Sequence, residues 1–265
     1  MISSLPKARL RGLGISTATP EEIAQGLAAH LTSGHRSAMT LAAVNVHTFA
    51  EACRNREYRD SLNDATIAWI DGVPIRWILR ARGIPPPPRI HGADLMTLLL
   101  DRLKGARHLF YGSTPETLGL LRASLATRYP DLRTCGFVSP PFRKRAVEET
   151  EESLAALNAT GADVLWVALG APKQEQWARL NRPRLRIPIV ACVGAAFEIH
   201  AGRFGRAPLP IQKLGLEWAW RLGQDPARLW RRYFSTNGYF LAVLLAEFSK
   251  RLFLPAPRES SAEGS

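Results

Sequence analysis

From about residue 38 to 198 the chain alternates two kinds of apolar pattern. Short runs rich in branched and aromatic residues read as buried strands: Met39–Val44, Thr66–Ile70, His108–Tyr111, Leu132–Val138, Val164–Leu169 and Ile187–Val193. Helical stretches fall between them, over Thr48–Arg56, Val73–Arg82, Asp94–Leu103, Pro115–Arg128, Ala146–Asn158 and Pro172–Leu180. This alternation predicts an α/β fold, a mainly parallel sheet with helices on both faces. No internal repeat is visible. The most informative junction runs from Asp163 to Gln176. There an apolar strand stops at Gly170, which permits a tight turn, and a helix restarts near Pro172. Lys173, Gln174 and Glu175 then stand at the carboxyl end of a strand, where open α/β sheets bind ligands.

Two regions break the rhythm. Pro85 to Pro88 is an extended, stiff connector that delivers Arg89 and His91 to the next helix. It reads either as a plain spacer or as a ligand-facing loop. Beyond about residue 202 the arginines Arg203, Arg206, Arg221, Arg228, Arg231 and Arg232 are interleaved with Trp218, Trp220, Trp230, Tyr233 and Phe234. An amphipathic stretch follows from Tyr239 to Phe248. The pattern predicts an α/β core over 1–202, a basic helical C-terminal appendage over 203–254 and a disordered tail over 255–265. Such an appendage suits a membrane interface, with aromatics at headgroup depth and cations on anionic lipid. The competing reading is a helical subdomain that packs its aromatics on the core.

Charge sharpens this picture. The net charge is +12 in 265 residues, which favours an anionic partner: nucleic acid, an acidic membrane surface or a phosphorylated ligand. The cations cluster with tryptophans at one end, which favours the membrane over a nucleic-acid backbone. Cys53, Cys135 and Cys192 are widely spaced and odd in number, as expected of small buried residues in a reducing cytoplasm. The first residues lack the apolar segment of a signal peptide, and no apolar run approaches the ~20 residues of a membrane span.

Polar residues at strand ends are the candidate chemistry. Asp71 follows a strand containing Trp69, and a partly desolvated carboxylate there suits a general base; a turn-forming Asp-Gly pair is the structural alternative. Asn45 ends the first strand of the alternating region, with His47 beside it, and either bonds a sugar or base hydroxyl or terminates the strand. Gly112 and Ser113 precede a helix starting at Pro115, whose N-terminus suits a phosphate or a nucleotide hydroxyl, or a purely structural cap. Gly194 to Glu198 offers small residues for close approach to a ligand or for close packing. A glycine fingerprint for dinucleotides, a Walker loop and a His/Cys metal cluster are all missing. That weakens the rival reading of a nucleotide-dependent oxidoreductase, and leaves arginines and helix ends to hold a leaving group.

Taken in order, Asn45, Ile70 to Gly72, Arg89 to Asp94, Gly170 to Glu175, Gly194 to Phe197, Arg206 to Pro208 and Glu217 through Arg231 form a specific set. Together they resemble the WecG/TagA/CpsF glycosyltransferases, glycosyltransferase family 26, over roughly residues 10 to 248. The resemblance implies a Rossmann-like core and an inverting, metal-independent transfer from a UDP-sugar, with no cofactor. The implied acceptor is a sugar on a polyprenyl-diphosphate carrier at the inner leaflet, in cell-envelope or exopolysaccharide synthesis. The implied enzyme is cytoplasmic and peripheral on the membrane's inner face, with homo-oligomerisation left open. By position, Asp71 matches the catalytic base, Asn45, Arg89 and Gln174 match active-site positions, and Arg221, Arg228 and Arg231 match appendage arginines that reach the diphosphate. Gly112, Ser113 and Gly170 complete the expected substrate-binding set. One departure is Ala43, where the family often has threonine. It removes a hydroxyl and points to a different donor or acceptor sugar, glucose among the candidates.

Overall fold

A computed structural model describes residues 5–34 and 37–253; the tail expected over 255–265 lies outside them. The chain opens with an antiparallel hairpin, β1 (Lys7–Leu10) and β2 (Leu13–Ser16), followed by α1 (Pro20–Thr32). The alternating region runs β3 (Met39–Val44), α2 (Val46–Arg54), α3 (Arg56–Asn63), β4 (Ile67–Ile70), α4 (Val73–Ala81), α5 (Gly92–Arg102), β5 (Arg107–Gly112) and α6 (Pro115–Arg128). It continues through β6 (Arg133–Val138), α7 (Glu151–Ala159), β7 (Val164–Ala168), α8 (Lys173–Asn181), β8 (Ile189–Cys192) and α9 (Ala196–His200). Three helices close the described chain: α10 (Leu209–Lys213), α11 (Glu217–Gln224) and α12 (Pro226–Phe253).

The expected Rossmann-like α/β architecture is present. Six parallel strands form one sheet in the order β4-β3-β8-β7-β5-β6. Alternate residues of each strand enter opposite layers, as the two-residue period of a strand requires. Leu41, Trp69, Phe110, Trp166 and Ala191 pack on one face against α1, α5, α6 and α9. On the other face Val44 and Ile70 meet α2, α4 and α12, while Leu165 and Val190 meet α7 and α8. Burial on both faces explains the near-continuous apolar strands.

The elements depart from expectation in identifiable ways. The helix expected over 48–56 is α2, which ends at Arg54; Asn55 is extended, and its side chain accepts the Tyr58 N–H to start a further helix, α3. The helix expected from Ala146 starts only at Glu151, capped by Thr150. Residues before it stay in a loop pinned by the buried Glu149, which accepts from Tyr111 Oη at 2.7 Å and Trp177 Nε1 at 2.8 Å. The segment before residue 38 carries a further helix, α1, begun by a Thr19/Glu22 capping box.

α12 divides its apolar residues between two faces. Leu229, Phe240 and Val243 point inward, and Phe240 sets its ring edge-on to Phe49 of α2 at 6.1 Å. The buried Glu247 on the same side pairs with Arg82 at 2.8 Å. Trp230, Phe234, Leu241, Leu245 and Phe248 occupy another stripe, about a third of a turn away, and are exposed. One face of α12 thus packs on the core, as the subdomain reading expects, and the other stays open. None of the helices among the described residues is long and apolar enough to cross a membrane.

Candidate active site

Five strand ends meet along the carboxyl edge of the sheet. The loops after β3, β4, β5, β7 and β8 begin with Asn45, Asp71, Ser113, Leu169 and Val193. Backbone bonds hold them in step: Asp71 N–H donates to Val44 O at 3.0 Å, and Ser113 N–H to Ala168 O at 3.0 Å. Gly112 is compelled at its position. Its φ is +118°, and a Cβ there would fall 2.5 Å from Ala168 O.

A cavity of about 610 Å³ opens above these ends. Six of the expected site residues line it: Asn45, Asp71, Ser113, Gly170, Gln174 and Arg221. A second cavity of about 110 Å³ lies between the start of α4 and the C-terminal helices. Asn45, Asp71, His91 and Arg221 face both, so Asp71 stands at their junction.

Asn45 is oriented by its helix. Its Oδ1 accepts the His47 and Thr48 N–H groups, both at 3.1 Å, capping α2. The amide nitrogen is thereby turned toward Asp71, with Nδ2 at 3.5 Å from Oδ2. The structural reading of Asn45 holds, and the cap also fixes the direction of its amide donor. Burial pushes the Asp71 carboxyl up to about 7. Arg89 opposes that rise, Glu217 adds to it, and the Asn45 N–H and Arg221 oppose it.

Arg89 is not among the residues lining either cavity. Its guanidinium pairs with Glu217 of α11 and donates to Gln212 O at 3.0 Å. Arg206 joins the same cluster, 3.6 Å from Glu217 and paired with Asp94 at the start of α5. The proline connector therefore delivers Arg89 to a polar clasp that holds the C-terminal helices over Asp71. Arg231 lies over the Trp230 ring at 5.2 Å, on the exposed side of α12. Arg228 falls within α12, but its side chain is outside the described residues.

Other lining residues were marked in the sequence only as part of a stretch, or not at all. His91 caps α5 by accepting the Ala93 N–H at Nδ1, 3.2 Å away. Burial, helped by Arg206, Arg221 and Arg89, drives its pKa well below the usual value, so the ring is neutral. Phe142 stands 86% exposed at the rim, under Lys173 Nζ at 4.8 Å from its ring centre. Glu198, from the stretch read as merely small, places its carboxylate beside Ser113, whose Oγ donates to Oε1 at 3.3 Å. The connector before α5 brings His91 to the cavity, the loop after β6 brings Phe142, and α9 brings Glu198. Among the described residues no group of three His, Cys, Asp or Glu is placed to hold a metal ion, and Cys53, Cys135 and Cys192 are free thiols.

The sequence model of the glycosyl transferase WecG/TagA/CpsF family matches residues 8–252. Two similar proteins carry the name N-acetylglucosaminyldiphosphoundecaprenol N-acetyl-beta-D-mannosaminyltransferase. The one from Bacillus spizizenii is 31% identical over 199 residues, 74% of this chain and 75% of the relative. The one from Bacillus subtilis is 28% identical over 221 residues, 83% of this chain and 84% of the relative.

Proposed function

We infer the reaction from one premise: the chain belongs to the WecG/TagA/CpsF glycosyltransferase family. It moves a sugar from a UDP-sugar to a sugar carried on a polyprenyl diphosphate, with inversion and without a metal. The names of the two relatives support the carrier-linked acceptor. The observation that carries the reading is Asp71 at the junction of two cavities, its carboxyl raised to about 7. A transferase must bring two substrates to one base, and a base works best with a pKa near the working pH.

The larger cavity takes the nucleotide sugar and the smaller one the acceptor. Asp71 removes the proton from the acceptor hydroxyl. The freed oxygen pair bonds to the anomeric carbon from the face opposite UDP. The bond to the β-phosphate oxygen breaks, and UDP leaves with that electron pair. Arg221 and the neutral His91 ring face the region where this charge develops, and Arg89 adds its field from the clasp. Residues 203–253 act as an appendage that rests on the inner-leaflet surface through the outward stripe of α12.

Incubation with a panel of UDP-sugars and short polyprenyl-diphosphate sugars, read by product mass, tests the reading. One donor and one acceptor should combine with loss of UDP and inversion at the anomeric carbon. Hydrolysis of the donor alone, or transfer that needs an added divalent ion, would overturn it.

A further inference from the structure

α4 gives one face to the core and turns the other outward. Ile75, Ile78 and Leu79 are buried in the cluster that holds Ile70, Phe240 and Val243. Val73, Arg76, Trp77 and Arg80 follow the three- and four-residue spacing of a single helical stripe. Trp77 is 38% exposed, and Arg80 is exposed as well. Arg76 lies between them, half-buried, with its Nε shielded from solvent and without a hydrogen-bond partner. The charged groups that act on it are Arg80 and Arg89, both cations, and with burial they push its pKa down. A desolvated cation without a counter-ion costs stability, so its retention on an outward stripe points to an anion that meets it there.

The stripe begins at the smaller cavity. Val73 and Pro74 line that cavity together with Gly215 and Trp218. The turn between α10 and α11 rests on the same spot, since a Cβ built at Gly215 would fall 3.0 Å from Val73 Cβ. Leu214 and Leu216, which flank Gly215, are exposed, as is Trp218. A soluble phosphate would match Arg76 but would leave these apolar groups in water. A second copy of the chain, meeting this face about a twofold axis, would set arginines against arginines. An anionic bilayer uses both features, with phosphates on the cations and tryptophan at headgroup depth.

We propose that the outward face of α4, centred on Arg76, is a contact for the phosphate headgroups of an anionic membrane, carried by the core and separate from the open stripe of α12. This rests on the reading of the smaller cavity as the acceptor's. A carrier whose tail stays in the bilayer while its sugar reaches Asp71 brings the membrane to the rim formed by Val73 and Gly215. Arg76 then donates N–H groups to phosphate oxygens, and Arg80 adds a second charge one turn further along.

Flotation with vesicles of phosphatidylcholine, alone or mixed with phosphatidylglycerol, tests the proposal without donor or acceptor present. Arg76→Gln should weaken binding to the mixed vesicles about fivefold, the scale of one basic residue at an anionic surface. Arg76→Lys keeps the charge and should retain most of the binding, and Trp77→Ser should also weaken it. Thermal melting without vesicles supplies the second measurement. Arg76→Gln removes an unmatched charge, so it should melt at or above the wild-type temperature. Flotation of folded Arg76→Gln equal to the wild type overturns the proposal, and would leave Arg76 to the carrier's diphosphate, which the vesicles lack. Loss of an oligomer in that variant, with flotation unchanged, overturns it in favour of a second copy. A lowered melting temperature together with lost flotation overturns it in favour of a structural role. A wild type that ignores anionic vesicles overturns this contact and the membrane placement together. A wild type that floats through Arg76 but transfers no sugar sinks the transferase reading alone.

Discussion

The sheet and the C-terminal helices put the same residue types to different uses. In the sheet, Trp69 and Trp166 are fully buried, and β3, β4, β5, β7 and β8 give both faces to packing, whereas the edge strand β6 has no buried residue. In α12, Phe240 is 5% exposed and Phe234 is 86% exposed, less than two turns apart on one helix. The sheet thus supplies a rigid floor, with Asn45 and Asp71 at strand ends and Gln174 in the first turn of α8. The C-terminal helices supply a cover that contributes Arg221 and leaves one apolar stripe open. On the proposed reading the floor carries the chemistry and the open stripe the membrane placement, and substitutions should separate the two.

The largest effect should fall on the floor. Asp71→Asn keeps size and shape but removes the base, and turnover should drop by about 10²–10⁴-fold. The melting transition should remain cooperative and nucleotide affinity should change little. Near-normal turnover would break the assignment of chemistry to the sheet edge.

Within α12, Phe240→Ala should cost about 3 kcal/mol of stability by removing a buried ring packed on Phe49. Phe234→Ala should change stability by less than about 0.5 kcal/mol. Denaturant titration of the two variants compares the faces directly. Equal losses would mean that the helix has no open face. The same contrast warns against cutting the chain after residue 202. That truncation strips Phe240 and Val243 from the core, so it disturbs the floor as well as the cover.

A gentler test keeps the helix and changes only its open stripe. Replacing Trp230, Phe234 and Leu241 together by serine should weaken binding to anionic vesicles by about tenfold or more. Transfer to a long-chain carrier should fall with it, while transfer to a short, soluble acceptor stays near normal. Flotation that is unchanged in the triple variant would place the membrane contact elsewhere.

Legibility in the sequence follows the same division. The strand expected over Met39–Val44 and the helix over Pro115–Arg128 agree residue for residue with β3 and α6, because buried parallel strands and proline-started helices have strong local signals. Asn55 and Thr150 were harder to read, since a polar residue inside a helical period becomes a cap only when tertiary packing turns the chain there. Asn45, Asp71, Ser113, Gly170 and Gln174 were legible because each directly follows, or closely follows, an apolar strand. Arg89 shows the limit. Its position beside Asp71 was readable, but its pairing with Glu217, 128 residues later in the chain, was not. Glu198 and Phe142 reach the cavity through loops whose paths no periodicity encodes.

A last test concerns pH, and it ties the floor to the cover. Asp71 has its carboxyl raised from 3.8 to about 7, chiefly by burial, and the nearby Glu217 of α11 adds to the rise. Between those pH values the folded chain holds a proton that the unfolded chain has released. Stability linked to Asp71 is therefore greatest below about pH 4 and is lost as pH rises through 7, with a slope of at most about 1.4 kcal/mol per unit. Activity runs the other way, because the base must lose that proton, so kcat/KM should climb through about pH 7. Asp71→Asn should abolish the stability slope between pH 5 and 8 while leaving other titrations in place. Glu217→Gln removes the negative charge from α11 and should move the kinetic midpoint downward. A midpoint that stays fixed in that variant would show that the cover does not tune the base, and that the sheet sets its pKa alone.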